Sequence, residues 1–402
     1  MASALTRKGA IEFQDTKPIT HQQKVKGGIK VGPVEKVQSA CSKQLVRTKR
    51  PYSDALNNSG EKSYSVFQQT KKPKQGLEIQ YLRGTEDHIN AYVDCIDSAE
   101  EHVIIASWNL NFIPKAIFSS LMRAKKRQVS ISFIVQSVKR KETLSYFQPN
   151  DDSSSDADSS LEYVFELAET KSHAKFLFVD SKTLFLGSYN ALGDSYEESD
   201  DASFKISGTV EQLWPFYMSI YETYTAIGED LPKIFDCIAS ISKLRYTKPR
   251  STLQIRLDDQ SKVFLLRTVE EHEEFFKLAT PYNGDVSIYS PFSAKDNTLK
   301  RMQALDKLLP TGIKVSLKVL PKFKSGLTKI LSQVPNLQNR VNIETIDSHQ
   351  KVVILGEETL CLGSLNWLSA AQDAQAVYSR AELSLVLQGA KANQIIKKYY
   401  FP

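Results

Sequence analysis

The chain has 402 residues, of which 41% are hydrophobic and 24% charged, as in folded globular proteins. Its net charge of +6 is unevenly distributed along the chain, because residues 1–80 contain 15 Lys and Arg but only 6 Asp and Glu. The sequence contains no run of about 18 apolar residues and no apolar N-terminal signal region. We therefore expect no integral membrane segment, and a location in the cytoplasm or export without a visible signal peptide.

Residues 1–75 form a basic leader, which we predict to be mostly disordered. They are rich in Lys, Gln, Ser, Thr and Gly and have no sustained hydrophobic period. A basic segment is attracted to anionic lipid and to nucleic acid alike, so peripheral contact with a membrane or another polyanion is one interpretation. The alternative interpretation is a solvated leader without a partner.

The remaining chain alternates helical segments with short apolar runs, and the same order of elements occurs twice. The first half predicts, in order, a helix over 85–99, a strand over 103–107, a helix over 114–126, a strand over 129–135 and a hairpin of 176–179 with 183–186. An acidic, Ser-rich loop covers 150–160. The second half predicts a helix over 272–278, a strand over 286–289, a helix over 299–309, a strand over 315–319 and a hairpin of 352–355 with 359–362.

Residue spacing supports this internal repeat. His173 and His349 are 176 residues apart, and Gly187 and Gly363 are separated by the same number. Alternating strands and helices used twice predict an α/β fold with two pseudo-symmetric halves, each a mixed β-sheet flanked by helices. We assign residues 76–240 to the first repeat and 250–402 to the second, with a boundary near 235–260.

Each copy contains the groups that phosphate chemistry needs. His173 and Lys175, like His349 and Lys351, are two positions apart, so at strand spacing each pair shares one face. Lysine neutralises phosphate oxygens, while histidine attacks phosphorus or transfers a proton. The Gly-Ser turns add hydrogen-bonding groups that we predict to bind substrate: Ser188, Asn190, Ser364 and Asn366. Two carboxylates at matching positions, Asp201 and Glu382, are the candidates for orienting the histidines.

These residues resemble the HxK(x4)D(x6)GSxN motif of the phospholipase D superfamily. The first copy matches it fully, from His173 through Asp180 to Asn190, whereas Gly356 replaces the aspartate in the second. That loss resembles the tyrosyl-DNA phosphodiesterase branch, and in the family the aspartate is taken as largely structural. The resemblance covers about residues 80–400 and implies a phospholipase D-like fold.

The resemblance also implies a phosphodiesterase that works through a phosphohistidine. We predict His173 as the nucleophile, because its motif is the intact one, and His349 as the general acid. The predicted catalytic set is His173, His349, Lys175, Lys351 and Asp180. We predict no cofactor and no metal, because lysines supply the positive charge, and a monomer suffices because both motifs lie in one chain.

The motif leaves the substrate open. Cleavage of a phospholipid headgroup is favoured slightly, because the body of the chain is not basic and apolar residues such as Trp108 and Trp367 stand near the motifs. Either tryptophan could line the pocket or pack in the core. The alternatives are a metal-independent nuclease and an inactive phosphate-binding relative.

The remaining histidines and the cysteines carry no motif. We assign four histidines to the surface or to helices: His21, His88, His102 and His272. The four cysteines lack the close spacing of a zinc site, and we expect Cys95 and Cys361 to be buried thiols.

Overall fold

The structure is a computed structural model that describes residues 76–138, 165–193, 200–226, 231–233, 254–277, 284–370 and 381–401. The basic leader, the acidic loop over 150–160, His21, Cys41 and Cys237 lie outside these ranges. The predictions about them therefore stay predictions.

The first half is a seven-stranded mixed sheet with three helices. Its strands are β1 (Glu78–Arg83), β2 (His102–Leu110), β3 (Ser130–Val138), β4 (Glu166–Glu169), β5 (Phe176–Val179), β6 (Thr183–Gly187) and β7 (Ala202–Ser207). They are ordered β1-β7-β6-β5-β2-β3-β4, with β2, β3 and β4 parallel and the other neighbours antiparallel. Its helices are α1 (Gly84–Asp97), α2 (Lys115–Lys126) and α3 (Val210–Ala226).

The second half is an eight-stranded mixed sheet. Its strands are β8 (Gln254–Arg256), β9 (Ser261–Leu266), β10 (Val286–Tyr289), β11 (Val315–Val319), β12 (Val341–Thr345), β13 (Val352–Leu355), β14 (Thr359–Gly363) and β15 (Ser384–Gly389), ordered β12-β11-β10-β13-β14-β15-β9-β8. The helices are α4 (Val269–Phe275), α5 (Lys295–Leu308), α6 (Lys324–Leu331), α7 (Pro335–Gln338) and α8 (Ala390–Tyr399), and Pro321–Phe323 is a 3₁₀ turn.

The two sheets have the same topology, apart from the additional edge strand β8. Read from β4, the first sheet runs β4-β3-β2-β5-β6-β7-β1, which corresponds strand for strand to β12-β11-β10-β13-β14-β15-β9. The predicted α/β fold of two pseudo-symmetric halves is therefore confirmed. Residues 234–253 lie outside the described ranges, so the division of the chain at 240–250 stays a prediction.

The central core lies between the two sheets. Strands from both halves contribute to it, for example Phe176 and Phe204 from the first sheet and Leu362 and Leu385 from the second, together with residues of α3 and α8. The opposite face of the first sheet packs against α1 and α2, and that of the second packs against α5 and α6. The central strands are thus buried on both faces, which explains why they read as continuous apolar runs.

A polar network also crosses from one half to the other. Asp200, just before β7, pairs with Arg83 at 2.6 Å and accepts a hydrogen bond of 2.7 Å from the Gln350 side chain. The Tyr400 hydroxyl donates to Gln350 Oε1 at 2.8 Å. Because Gln350 lies between His349 and Lys351, this network fixes the second motif against the first half.

Candidate active site

Both His-x-Lys segments lie where the two halves meet. His173 and Lys175 directly precede β5, and His349 and Lys351 directly precede the equivalent strand β13. The backbone N–H of His173 donates to the carbonyl of Ala381 in the second half at 3.0 Å. The charge of Lys351 also acts to lower the pKa of the His173 imidazole, after burial and the charge of Lys175.

His173 is held by a carboxylate from the opposite repeat. Its Nδ1 lies 2.9 Å from Oε1 and 3.2 Å from Oε2 of Glu382. An ionised carboxylate only accepts hydrogen bonds, so Nδ1 carries the proton and Nε2 keeps its lone pair. Lys175 Nζ lies 3.2 Å from that Nε2 and donates to the His173 carbonyl at 2.8 Å. An unprotonated imidazole nitrogen and a buried ammonium group are therefore adjacent.

The environment keeps His173 neutral. Burial lowers the pKa of its imidazole to about 4, and the attraction of Glu382 only partly opposes this. Burial also acts to raise the pKa of the Glu382 carboxyl, but His173, Lys175 and the Ser364 hydroxyl outweigh it and the pKa is lowered. At neutral pH the pair is therefore a neutral imidazole that donates to an ionised carboxylate.

His349 stands in a more open environment. Its side chain is half-buried, and burial lowers the pKa of its imidazole while the negative charge of Asp201 opposes the shift. Lys351 donates to the His349 carbonyl at 3.3 Å, and burial lowers the pKa of this ammonium group. Each histidine is thus influenced by the carboxylate of the other repeat.

The two motif serines contact the carboxylates that were predicted to orient the histidines. The Ser188 hydroxyl donates to Asp201 at 2.6 Å, and the Ser364 hydroxyl donates to Glu382. Each hydroxyl oxygen also accepts a backbone N–H at 3.1 Å, from the residue that follows the carboxylate. Both serines are fully buried, and these contacts hold the carboxylates in position; their role in substrate binding stays a prediction.

The two motif asparagines differ in their anchoring. Asn190 Oδ1 accepts the backbone N–H of Trp108 at 3.3 Å, which orients its amide. Asn366 Oδ1 is buried and has no partner among the described residues. In the second repeat, Pro291 follows Ser290 as Trp108 follows Ser107, and proline has no N–H to donate.

The predicted catalytic residue Asp180 lies apart from the other members of that set. Asp180 lies at the opposite end of β5 from His173, in the turn to β6. Its carboxylate accepts backbone N–H bonds from Glu100, Glu101 and His102 at 2.8 to 2.9 Å. Asp180 therefore ties this turn to the start of β2, and it lies outside the cluster that contains Lys175.

A glycine takes the same backbone position in the second repeat. Asp180 has a φ of 50° and Gly356 a φ of 58°, in the left-handed region that glycine adopts at no steric cost. The N–H groups of both residues donate to the strand that pairs with the hairpin, at 3.0 Å to His102 and 2.9 Å to Asp285. The departure from the motif at Gly356 thus affects a turn remote from the chemistry.

Two buried histidines that the sequence analysis assigned to no motif are in fact equivalent. His88 Nδ1 contacts the Gly84 carbonyl at 2.6 Å, and its Nε2 contacts Ser203 Oγ at 2.8 Å. His272 repeats this arrangement with the Thr268 carbonyl at 2.7 Å and Ser384 Oγ at 3.0 Å.

Both serines follow the His-orienting candidates by two residues, as Ser203 follows Asp201 and Ser384 follows Glu382. Each His–Ser pair therefore supports the strand that carries a carboxylate. Each histidine lies four residues after the residue whose carbonyl it contacts, at the start of a helix. This spacing was the sequence signal available for the pair, and it is weak on its own.

The two tryptophans near the motifs have different surroundings. Trp108 is 41% exposed, and its ring centroid lies 5.6 Å from that of His173. Trp367 is fully buried and packs against Phe275, Phe276 and His272. Trp108 thus borders the candidate site, whereas Trp367 belongs to the core.

Comparison with known proteins agrees with this geometry. Residues 92–215 match the family described as cardiolipin synthase, PLD-like domain. Residues 92–215, which contain the first motif, therefore belong to the phospholipase D superfamily. No curated protein matches the chain in sequence. Membership of this superfamily supports phosphoryl transfer as the chemistry of the site.

Solved structures share the fold at low sequence identity. The structure of phosphatidylserine synthase from Haemophilus influenzae Rd KW20 matches with a TM-score of 0.54 and 13% identity, over 80% of this chain and 84% of that one. Polyphosphate kinase from Porphyromonas gingivalis gives 0.48 and 12%, over 80% and 49%. The phospholipase D family member Nuc from Salmonella typhimurium gives 0.29 and 16%, over 36% and 93%. The first likeness shows the fold of this superfamily member.

The described part of the chain lacks two features. No group of three or more His, Cys, Asp or Glu side chains is placed to hold a metal ion. No described helix combines the length and the apolar character that crossing a membrane requires.

Proposed function

We propose that this superfamily member is a phosphodiesterase that cleaves the headgroup ester of a phospholipid through a phosphohistidine on His173. The observation that carries the proposal is the contact of His173 Nδ1 with Glu382 at 2.9 Å, which leaves Nε2 unprotonated beside Lys175. A neutral imidazole with an oriented lone pair is a competent nucleophile, and a neighbouring carboxylate stabilises the positive charge that develops on it.

The reaction takes two steps. His173 Nε2 attacks phosphorus and forms an N–P bond, while the P–O bond to the headgroup breaks and His349 gives its proton to the leaving oxygen. Water then attacks phosphorus and gives a proton to His349, and the N–P bond breaks. Lys175 and Lys351 neutralise the non-bridging oxygens throughout. An alcohol in place of water would give transfer instead of hydrolysis.

Two exposed aromatic residues support a lipid substrate. Trp108 and Phe112 are 41% and 39% exposed. Trp108 lies near the C-terminal end of β2, with its ring beside that of His173, and Phe112 follows this strand by two residues. Large apolar side chains on the surface mark contact sites for apolar or amphipathic partners. A substrate with acyl chains would contact this edge while its phosphate enters the cluster of His173 and His349.

The first test compares substrates in the presence of EDTA. Purified protein is incubated with phosphatidylcholine and phosphatidylserine vesicles and with single- and double-stranded DNA, and headgroup release and strand cleavage are measured. We expect headgroup release that persists in EDTA and is lost in His173→Ala and His349→Ala. DNA cleavage without lipid cleavage would replace the lipid proposal with a nuclease, and no reaction on any substrate would favour an inactive relative.

A second test separates the roles of the two histidines. A phosphodiester whose leaving group departs without a proton makes the general acid unnecessary in the first step. His349→Ala should then release one equivalent of leaving group in a burst and accumulate phosphohistidine, whereas His173→Ala should give neither. A burst that is confined to His173→Ala would reverse the two roles. Thermal unfolding of both variants controls for loss of fold.

A further inference from the structure

One cation that belongs to neither His-x-Lys motif acts on the second histidine. Four charged groups influence the pKa of His349: the carboxylates of Asp201 and Asp347, and the ammonium groups of Lys351 and Lys322. Lys322 lies in the 3₁₀ turn Pro321–Phe323 after β11, so the fold brings it to the site independently of the motif.

Aromatic rings connect Lys322 to His349. The centroid of the Phe292 ring lies 6.0 Å from that of His349, and Lys322 Nζ lies 6.0 Å from the centroid of Phe292 and 5.2 Å from that of Phe323. The two rings contact each other edge to face, and an ammonium group over both is attracted by their negative potential. The cation is thus fixed one ring away from the histidine.

Lys322 is available to a ligand within the part of the chain that the structure describes. It is exposed, and none of the ion pairs among these residues includes it. Phe292 and Phe323 are only half-buried, so they leave an open edge beside the ammonium group. In the first repeat, the segment equivalent to the 3₁₀ turn would follow β3, and residues 139–164 lie outside the described ranges. The aromatic residue known to lie beside the first histidine, His173, is Trp108.

We infer that Lys322, Phe292 and Phe323 form a leaving-group subsite that recognises a carboxylate or phosphate on the lipid headgroup. The inference rests on the proposed function, in which His349 protonates the departing headgroup oxygen. The headgroup must then lie beside His349. Lys175 and Lys351 bind the phosphate in this mechanism, so Lys322 is the nearby cation that can bind the headgroup. Serine as headgroup would place its carboxylate on Lys322, with its apolar carbons against Phe292.

The test uses two headgroups that differ by one carboxylate. Short-chain monomeric phosphatidylserine and phosphatidylethanolamine are compared, so that attraction to a charged vesicle surface plays no part. We expect kcat/KM to favour the serine lipid by about tenfold, as one charge-assisted contact provides. Lys322→Gln should abolish the preference by slowing only the serine lipid, and Lys322→Arg should restore most of it. Lys329→Gln, which removes an exposed cation from α6, should retain the preference.

Binding gives a readout that does not depend on turnover. In His173→Ala, the affinities for O-phosphoserine and O-phosphoethanolamine are measured by calorimetry. Tighter binding of O-phosphoserine that disappears with the added Lys322→Gln substitution supports the subsite. Equal affinities, or a preference that survives Lys322→Gln, overturn it even if the protein cleaves no lipid. Failure to cleave either lipid with the binding preference intact would count against the proposed function alone.

Discussion

His173 and Glu382 are 209 positions apart in the chain, yet their side chains form the hydrogen bond that defines the candidate nucleophile. The bond does three things at once. It fixes the tautomer, it points Nε2 away from the carboxylate, and it places a negative charge where the imidazole becomes positive. Ser364 and the backbone N–H of Leu383 hold the carboxylate in turn.

Substitution of the carboxylate tests this arrangement at the residue scale. In Glu382→Gln, the amide oxygen still accepts from Nδ1, but the charge that stabilises the cationic imidazole is lost. We expect kcat to fall by about 10² or more, with little change in thermal stability, as measured on the headgroup substrate. Glu344→Gln is the matched control, because this carboxylate on β12 pairs with Lys318 of β11, away from the two histidines. An unchanged kcat in Glu382→Gln would contradict the role given to the pair.

The two histidines also predict a pH profile for kcat/KM. His173 must be unprotonated to attack, so activity should fall as the pH drops through its pKa of about 4. His349 must be protonated to act as an acid, and burial lowers its pKa below the ordinary value near 6.5. Activity should therefore also fall as the pH rises through that lowered pKa, giving a bell with an acidic optimum.

The alkaline limb of this profile has its own control. With a leaving group that departs without a proton, formation of the phosphohistidine no longer needs His349 as an acid. The alkaline limb of the burst rate should then disappear while the acidic limb remains. A profile that is flat or still rising above about pH 8 would contradict the assignment of His349 as the acid.

At the scale of elements, the β5–β6 turn depends on Asp180 for its attachment to β2. Three backbone N–H groups converge on its carboxylate. Asp180→Ala leaves them without this acceptor and places alanine at a φ of 50°. We expect a loss of about 2–4 kcal/mol in the free energy of unfolding, measured by chemical denaturation, with kcat of the folded protein retained.

Asp258→Ala is the control for that substitution, since Asp258 pairs with Lys391 at 3.5 Å on the surface and both side chains are more than a third exposed. An exposed pair of this kind contributes little to stability, because solvent screens it. A large loss of kcat in Asp180→Ala, without loss of stability, would restore Asp180 to the catalytic set.

The Gly-Ser turns require glycine because the next strand passes close to them. A Cβ on Gly363 would lie 2.2 Å from the Leu383 carbonyl oxygen and 2.5 Å from Ser384 Cα. Because backbone atoms cannot move aside cheaply, Gly363→Ala should destabilise the fold by about 3 kcal/mol or more. At Gly312 a Cβ would meet nothing within 4 Å, so Gly312→Ala should change stability little. Equal denaturation midpoints for the two variants would refute this account.

The elements that the sequence predicted are those whose periodicity is strong. The strands β10, β11 and β13 have the predicted bounds, and the two hairpins are confirmed to within one residue. The elements β4, β12 and α8 are not among those predicted from the sequence. β12 is a short, partly exposed edge strand with only two apolar residues, and α8 is ten residues long and buries only Ala392 and Ile396. Patterns this short do not decide between element types in a single sequence.

At the scale of the whole molecule, stability should depend on the buried histidines. His102, His173 and His272 each have a pKa lowered to about 4 by burial, and burial also lowers that of His88. As the pH falls below about 6.5, these histidines become protonated in the unfolded chain but stay neutral in the folded chain. Their contribution to stability is therefore complete above about pH 6.5 and is lost progressively towards pH 4.

Denaturation with urea at several pH values tests this linkage. Each such histidine adds a slope of up to about 1.4 kcal/mol per pH unit within that window. In His272→Gln the slope should be smaller by one such contribution, although the stability at neutral pH will also fall because the Ser384 contact changes. A midpoint that does not change from about pH 7 to about pH 4.5 would contradict the burial of neutral histidines.

The sequence by itself determined the architecture of this protein and predicted the residues of its candidate site. The spacing of His173, Lys175, His349 and Lys351 predicted a duplicated phosphate-binding motif, and the alternation of apolar runs predicted two α/β halves. Cys95 and Cys361 are buried as their apolar surroundings predicted. These features depend on residues that are close in the chain or on a repeated offset, which a single sequence displays directly.

Only the tertiary structure decided how the parts act on one another. Glu382 holds the histidine of the other repeat, the motif serines serve the carboxylates, Asp180 serves a turn, and Lys322 joins the site from outside the motif. Each of these results depends on which backbones approach each other where the two sheets meet. That approach is set by packing a shared core between residues far apart in the chain, and no local pattern specifies it.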